Sequence, residues 1–89
     1  MSSRKVAVIT GAAQGIGKQT ASVLNDMDWS VVLLDLQPID TSIYVSALSL
    51  TGDITDESFV QSAANQTIEK FGHVDALVNN AGISCITAA

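Results

Sequence analysis

The apolar positions of this chain fall into short unbroken runs, separated by stretches in which they recur every three or four residues. Val6 to Ile9 is a continuous apolar run, the mark of a strand buried on both faces. Beyond Thr10 to Gly17, the residues Ile16, Thr20, Val23, Leu24 and Met27 share one helical face. That spacing predicts a first helix with those side chains turned inward, ending near Asp28-Trp29-Ser30. Val31-Val32-Leu33-Leu34 is a second buried-strand run that ends in an acid, Asp35. Gln37 to Ser42 reads as a loop, since Pro38 blocks a helix there. Part of Ile43 to Leu50 reads as a third strand carrying Tyr44, closed by Gly52-Asp53-Ile54.

A second helix is predicted from Thr55. Thr55 serves as its expected N-cap, and Asp56 and Glu57 place negative charge in the first turn, where the helix dipole favours it. Phe59, Val60, Ala63, Ala64, Ile68 and Phe71 form its apolar face, and Gly72 is the expected stop. Val74, Ala76, Leu77 and Val78 then make a fourth strand running into Asn79-Asn80-Ala81-Gly82. The order β-α-β-β-α-β with buried-type strands predicts an α/β fold. Its parallel sheet would have right-handed crossovers and helices on both faces.

Composition narrows the function classes. Eighty-nine residues suit one small domain, and 47% apolar with 15% charged residues excludes a disordered tail. Four basic against nine acidic residues give a net charge of −5, and Arg4, Lys5 and Lys18 all lie near the start. With no basic stripe, nucleic acid and anionic membranes are poor partners. Val6-Ala7-Val8-Ile9 is too short for a signal peptide or a membrane span. The single cysteine, Cys85, has no partner for an internal disulfide, so a reducing, cytoplasmic setting is expected.

The candidate chemistry begins at the first strand-to-helix turn. Gly11, Gly15 and Gly17 are spaced G-x-x-x-G-x-G. Unpaired N–H groups at a helix start bind anions, and glycine lets a pyrophosphate approach the backbone. Three ordinary turn glycines are the alternative. A P-loop is excluded, because Gln19 stands where Ser or Thr must follow Lys18 and the outer glycines are one residue too far apart. Asp35 ends the second strand 18 residues after Gly17, a position from which a carboxylate can accept both ribose hydroxyls of an adenosine. The alternative is an exposed acid at a strand end. The same charge repels a 2′-phosphate, and Gln14 and Leu36 are not basic, so the pattern reads NAD rather than NADP. Asn79 and Asn80 lie at a strand's C-terminal end, where open α/β sheets bind ligands; a plain turn is their alternative.

Together, Thr10-Gly11-Ala12-Ala13-Gln14-Gly15-Ile16-Gly17, Asp53-Ile54 and Asn79-Asn80-Ala81-Gly82 resemble the N-terminal part of a short-chain dehydrogenase/reductase. The resemblance spans about residues 4 to 84. It implies a Rossmann-type doubly wound parallel sheet in the order 3-2-1-4, with residues 1–89 as the N-terminal part of a single NAD-binding domain, cut short. It implies that Gly11, Gly15, Ile16 and Gly17 hold the cofactor pyrophosphate and that Asp35 holds the adenosine ribose. Asp53 and Ile54 would meet the adenine, and Asn79, Ala81 and Gly82 would line the cleft beside the second ribose. The whole enzyme would move a hydride between nicotinamide and a small alcohol or carbonyl substrate, as a homo-oligomer.

The chain also departs from the family pattern. Asp28 stands where the family usually has glycine, and aspartate tolerates that left-handed position. Gln37 to Ser42 is too short for the family's second crossover helix, which leaves one sheet face thinly covered. The family's catalytic serine, tyrosine and lysine have no counterparts. Tyr44 is the only tyrosine and Leu48 lies four residues on, Ser84 is too close to the Asn-Asn-Ala-Gly segment, His73 reads as solvent-facing, and Cys85 as a passive thiol. No catalytic residue or metal ligand is assigned. A truncated, non-catalytic nucleotide-binding or subunit-pairing module is therefore the second expectation, ahead of a flavodoxin-like or regulatory α/β domain. The strand Val74–Val78 would be left as an open apolar edge.

Overall fold

The computed structural model describes residues 4–80. Within them, β1 (Val6–Thr10), α1 (Gly15–Asp26), β2 (Ser30–Asp35), β3 (Ala47–Thr51), α2 (Glu57–Phe71) and β4 (Ala76–Asn79) follow in that order. The four strands form one sheet in the order β3-β2-β1-β4, and every pairing is parallel. The α/β class, the element order and the strand order all match the sequence expectation.

Alternation along the strands divides the core in two. Ile9, Val31 and Leu33 face one side with Ala12, Ala21 and Tyr44, against which Leu24 and Ile39 pack. Val6, Val32 and Leu34 face the other with Ala63, backed by Phe59 and Phe71. β1 and β2 sit in the middle of the sheet and are almost wholly buried. Burying both faces is what their unbroken apolar runs require.

Several local expectations change. α1 packs on the sheet through Gly17 and Ala21, with Leu24 beside them. Ile16, Val23 and Met27, predicted to face inward, are exposed. The helix has two edges with apolar residues, and the smaller side chains win the close contact because they let the helix approach the strands. α2 shows the same preference. Ala63 and Thr67 are its buried residues, whereas Val60, Ala64 and Ile68 lie on the open side. Thr67 is tolerated inside because its hydroxyl donates to the Ala63 carbonyl at 2.8 Å.

The N-cap of α2 is Asp56 rather than Thr55: the Asp56 carboxylate accepts from Ser58 N at 2.9 Å. Thr55 is engaged one step earlier, donating to Asp53 through both its N–H and its hydroxyl. Gly72 does end the helix, with φ 87°, and Asp28 takes the left-handed conformation with φ 67°.

The third strand begins only at Ala47, so Tyr44 is not a strand residue. It comes from the preceding loop and plugs the core on the α1 side. Together with Ile39 it covers part of the face expected to be thinly covered, and Val45 N donating to Asn25 Oδ1 at 2.9 Å ties this loop to α1. β4 starts at Ala76 and includes Asn79, two residues later than the start predicted at Val74. His73 is not free in solvent. Its Nε2 lies 3.0 Å from Asp75 Oδ2 and 3.2 Å from the Arg4 carbonyl. Asp75 in turn accepts from Val6 N at 2.8 Å, fixing β4 against the start of β1.

Candidate functional site

The C-terminal ends of the strands form one rim, and the candidate residues gather there. At the end of β1 the chain turns through Gly11, whose N–H donates to the Leu34 carbonyl at 2.9 Å. Ala12 is fully buried and anchors the turn in the core. Ala13 N donates to Asp35 Oδ2 at 3.0 Å. Gly11 and Gly15 both have φ 63°, a region that L side chains rarely adopt.

Gly15 and Gly17 serve different ends. A Cβ on Gly15 would meet nothing within 4 Å, so the backbone there is open to a ligand. A Cβ on Gly17 would lie 2.1 Å from the Gly11 carbonyl oxygen, so only glycine lets α1 sit this close to the turn. No side chain caps α1, and its first turn holds no acid. Among the described residues no side chain therefore compensates the positive end of its dipole. This backbone suits a pyrophosphate. The Ile16 side chain is 69% exposed, and its N–H stands in the first turn of α1 beside those of Gly15 and Gly17.

Beside the turn lies a cavity of about 240 Å³ lined by Gly11, Leu34, Asp35, Leu36, Gly52, Asp53, Ile54 and Thr55. It brings together four residues singled out in the sequence: Gly11, Asp35, Asp53 and Ile54. Both carboxylates in it are held. Asp35 accepts from Ala13 N through Oδ2 and from Gln37 N through Oδ1, each at 3.0 Å. Asp53 Oδ1 accepts from Thr55 N at 2.9 Å and from its hydroxyl at 2.7 Å. These bonds, the backbone one first, lower the Asp53 pKa below its ordinary 3.8. No Lys or Arg lines the cavity, and Leu36, next to Asp35, is 70% exposed.

Asn79 lies at the neighbouring rim. Thr10 Oγ1 donates to Asn79 Oδ1 and accepts from Asn80 N, both at 2.9 Å. Thr10 thus locks the end of β1 to the end of β4. Asn79 lines a second hollow of about 370 Å³ between β4 and α2, which shares Ile54 with the first. Ala81, Gly82, Ser84 and Cys85 lie outside the described residues. Sequence reasoning missed Thr10, Ala13 and Thr55 as supports. Only Thr55 carried a signal, an Asp-x-Thr spacing that favours a local side-chain turn. Among the described residues no cluster of acids, histidines and cysteines could hold a metal ion, and no helix is long and apolar enough to cross a membrane.

A family model for short chain dehydrogenases matches residues 5–89. The chain belongs to the short-chain dehydrogenase family. Short-chain dehydrogenase reductase 5 of Arabidopsis thaliana is 40% identical over 85 residues, which cover 89% of this chain and 33% of that protein. A short-chain dehydrogenase from Streptomyces avermitilis superposes with a TM-score of 0.86 at 30% identity, covering 92% of this chain and 32% of that one. The 3-ketoacyl-(acyl-carrier-protein) reductase of Brucella melitensis, solved in complex with NADH, gives a TM-score of 0.78 at 34% identity, with 84% and 33% covered. The chain spans about a third of the length of the curated short-chain dehydrogenase relatives it matches. The family is one of oxidoreductases that bind nicotinamide cofactors.

Proposed function

We propose that this chain is the NAD-binding portion of an oxidoreductase that moves a hydride between nicotinamide and a small alcohol or carbonyl compound. The observation that carries the reading is the cavity shared by Gly11, Asp35, Asp53 and Ile54 next to an uncapped helix start. The N–H groups at Gly15, Ile16 and Gly17 would hold the pyrophosphate. Asp35 would accept the adenosine ribose hydroxyls, Asp53 and Ile54 would flank the adenine, and Asn79, Ala81 and Gly82 would continue the cleft toward the second ribose. When bound, the cofactor supplies the hydride acceptor or donor. Two carboxylates and no cation in the cavity disfavour a 2′-phosphate, which supports NAD over NADP.

Residues 1–89 contain no tyrosine four residues ahead of a lysine, and their one tyrosine, Tyr44, is buried in the core. The proton exchange that accompanies hydride transfer would fall to groups elsewhere in the whole protein. We place that protein in the cytoplasm as a homo-oligomer.

The reading is tested by Asp35→Ala. Losing a charge-assisted hydrogen bond costs about 1.5–3 kcal/mol, or roughly 10- to 150-fold in affinity. NAD binding should weaken by that factor while the gap to NADP narrows. An unchanged NAD affinity in the variant would remove Asp35 from the ribose subsite.

A further inference from the structure

We propose that Asp35 braces the glycine-rich turn as well as facing the ribose. The inference rests on the cofactor-site reading and adds a second task for the same carboxylate. Three N–H groups tie the turn to the end of β2. Two of them, from Gly11 and Ala12, go to the Leu34 carbonyl and are backbone bonds that any sequence could make. The third, from Ala13 to Asp35 Oδ2 at 3.0 Å, needs this side chain.

Asp35 is not free to swing away from Ala13, because Gln37 N holds its other oxygen at 3.0 Å. A carboxylate offers about four acceptor positions. Two are taken, and two remain for a ribose diol, so both tasks can be performed at once. Ala13 directly precedes Gln14, the N-cap of α1, which makes no side-chain cap of its own. The position of the helix start, and of the N–H groups a pyrophosphate would meet, then depends on where Ala13 is held. Asp35 thereby couples the ribose subsite to the pyrophosphate subsite. Asparagine would not replace it, since a single amide oxygen cannot serve Ala13 and Gln37 on opposite sides.

Two measurements test the brace. In the first, ADP and 2′,3′-dideoxy-ADP are titrated into the unmutated protein, Asp35→Ala and Asp35→Asn. The dideoxy nucleotide has no ribose diol, so a residue that only reads the diol cannot affect it. The brace predicts that both variants weaken dideoxy-ADP by roughly 3- to 10-fold, the size of one ordinary hydrogen bond, and weaken ADP further. Unchanged dideoxy-ADP binding in both variants would overturn it.

The second measurement uses the unmutated protein alone, so it stands even if the variants fail to fold. The amide protons of Ala13 and Gln37 are followed by NMR as Asp35 is protonated. The brace predicts that both shift together with the Asp35 carboxyl signal. A Gln37 amide that moves while Ala13 stays still would overturn it. If the unmutated protein binds neither nucleotide, the cofactor-site reading fails, and the Ala13 amide decides the brace by itself.

Discussion

The crossover from β1 to β2 and the crossover from β3 to β4 use the same parts, yet they close to different degrees. Around the first, β1 and β2 are buried almost end to end and α1 is drawn in by Gly17 and Ala21. Around the second, β4 alternates half-buried and exposed residues with none fully buried, and Leu77 on it is 67% exposed. The helix termini differ in the same way. α2 is capped by Asp56, which takes the Ser58 N–H, and carries the acid Glu57 in its first turn. α1 has neither a side-chain cap nor an acid. The contrast teaches that tight packing and an unserved helix start go together here. The more deeply buried region is the one whose helix start has no side-chain cap.

The largest expected effect contrasts the two regions directly. Leu33→Ala empties a fully buried position of β2 on the α1 side of the sheet and should cost about 2–5 kcal/mol. Leu77→Ala should change stability by no more than about 0.5 kcal/mol, as for an ordinary surface site. Denaturant melts read both. Among the described residues β4 is an outermost strand of the sheet, and since an unpaired edge is a template for pairing, Leu77→Lys should also reduce any self-association of residues 1–89 in sedimentation measurements. Equal losses for Leu33→Ala and Leu77→Ala would erase the distinction between the regions.

Next in size is a comparison inside the glycine turn. Gly17→Ala places a methyl against the Gly11 carbonyl, where neither partner is a flexible side chain. Overpacking of this kind costs about 1–3 kcal/mol or more, and nucleotide binding should go with it. Gly15→Ala meets open space and strains only the backbone, at about 1–2 kcal/mol. The fold should survive, with binding weakened. A Gly17→Ala protein as stable as Gly15→Ala would show that α1 does not need its close approach.

Much of this was legible in the sequence because burial on both faces leaves an unambiguous mark. Val6–Ile9 and Val31–Leu34 could be read as strands buried on both faces, and Asp35 as a strand-end acid, from apolar runs alone. Helix faces were less legible. Ile16, Val23 and Met27 are more apolar than Gly17 and Ala21, but hydrophobicity does not report how closely a backbone must approach. Tyr44 was misplaced because a loop residue that plugs a core has no period to betray it. The links through Asp75, Thr10 and Ala13 join residues about 20 to 70 positions apart in the chain, and no local pattern encodes such pairs.

The smallest expected effect concerns the rim of the cavity. Thr55 lowers the Asp53 pKa, mainly through its N–H and secondarily through its hydroxyl. A depressed carboxylate pKa contributes stability that is present above the unfolded value. That contribution is lost as pH falls through the folded one. The Asp53–Thr55 turn should thus be intact at neutral pH and loosen only below the ordinary carboxylate value of 3.8. Thr55→Val keeps the N–H and removes the hydroxyl, so the Asp53 pKa should rise part of the way back. A carboxyl titration by NMR checks this, and an unmoved value would show that the hydroxyl bond has no effect on Asp53.

The central claim is that the cavity beside the glycine turn accepts an unphosphorylated adenosine ribose and rejects a phosphorylated one. Titration calorimetry of the unmutated protein with NAD and then with NADP tests it most directly. The arrangement of Asp35, with no cation lining the cavity, predicts clearly tighter binding of NAD. Equal affinities for the two cofactors, or a preference for NADP, would contradict it.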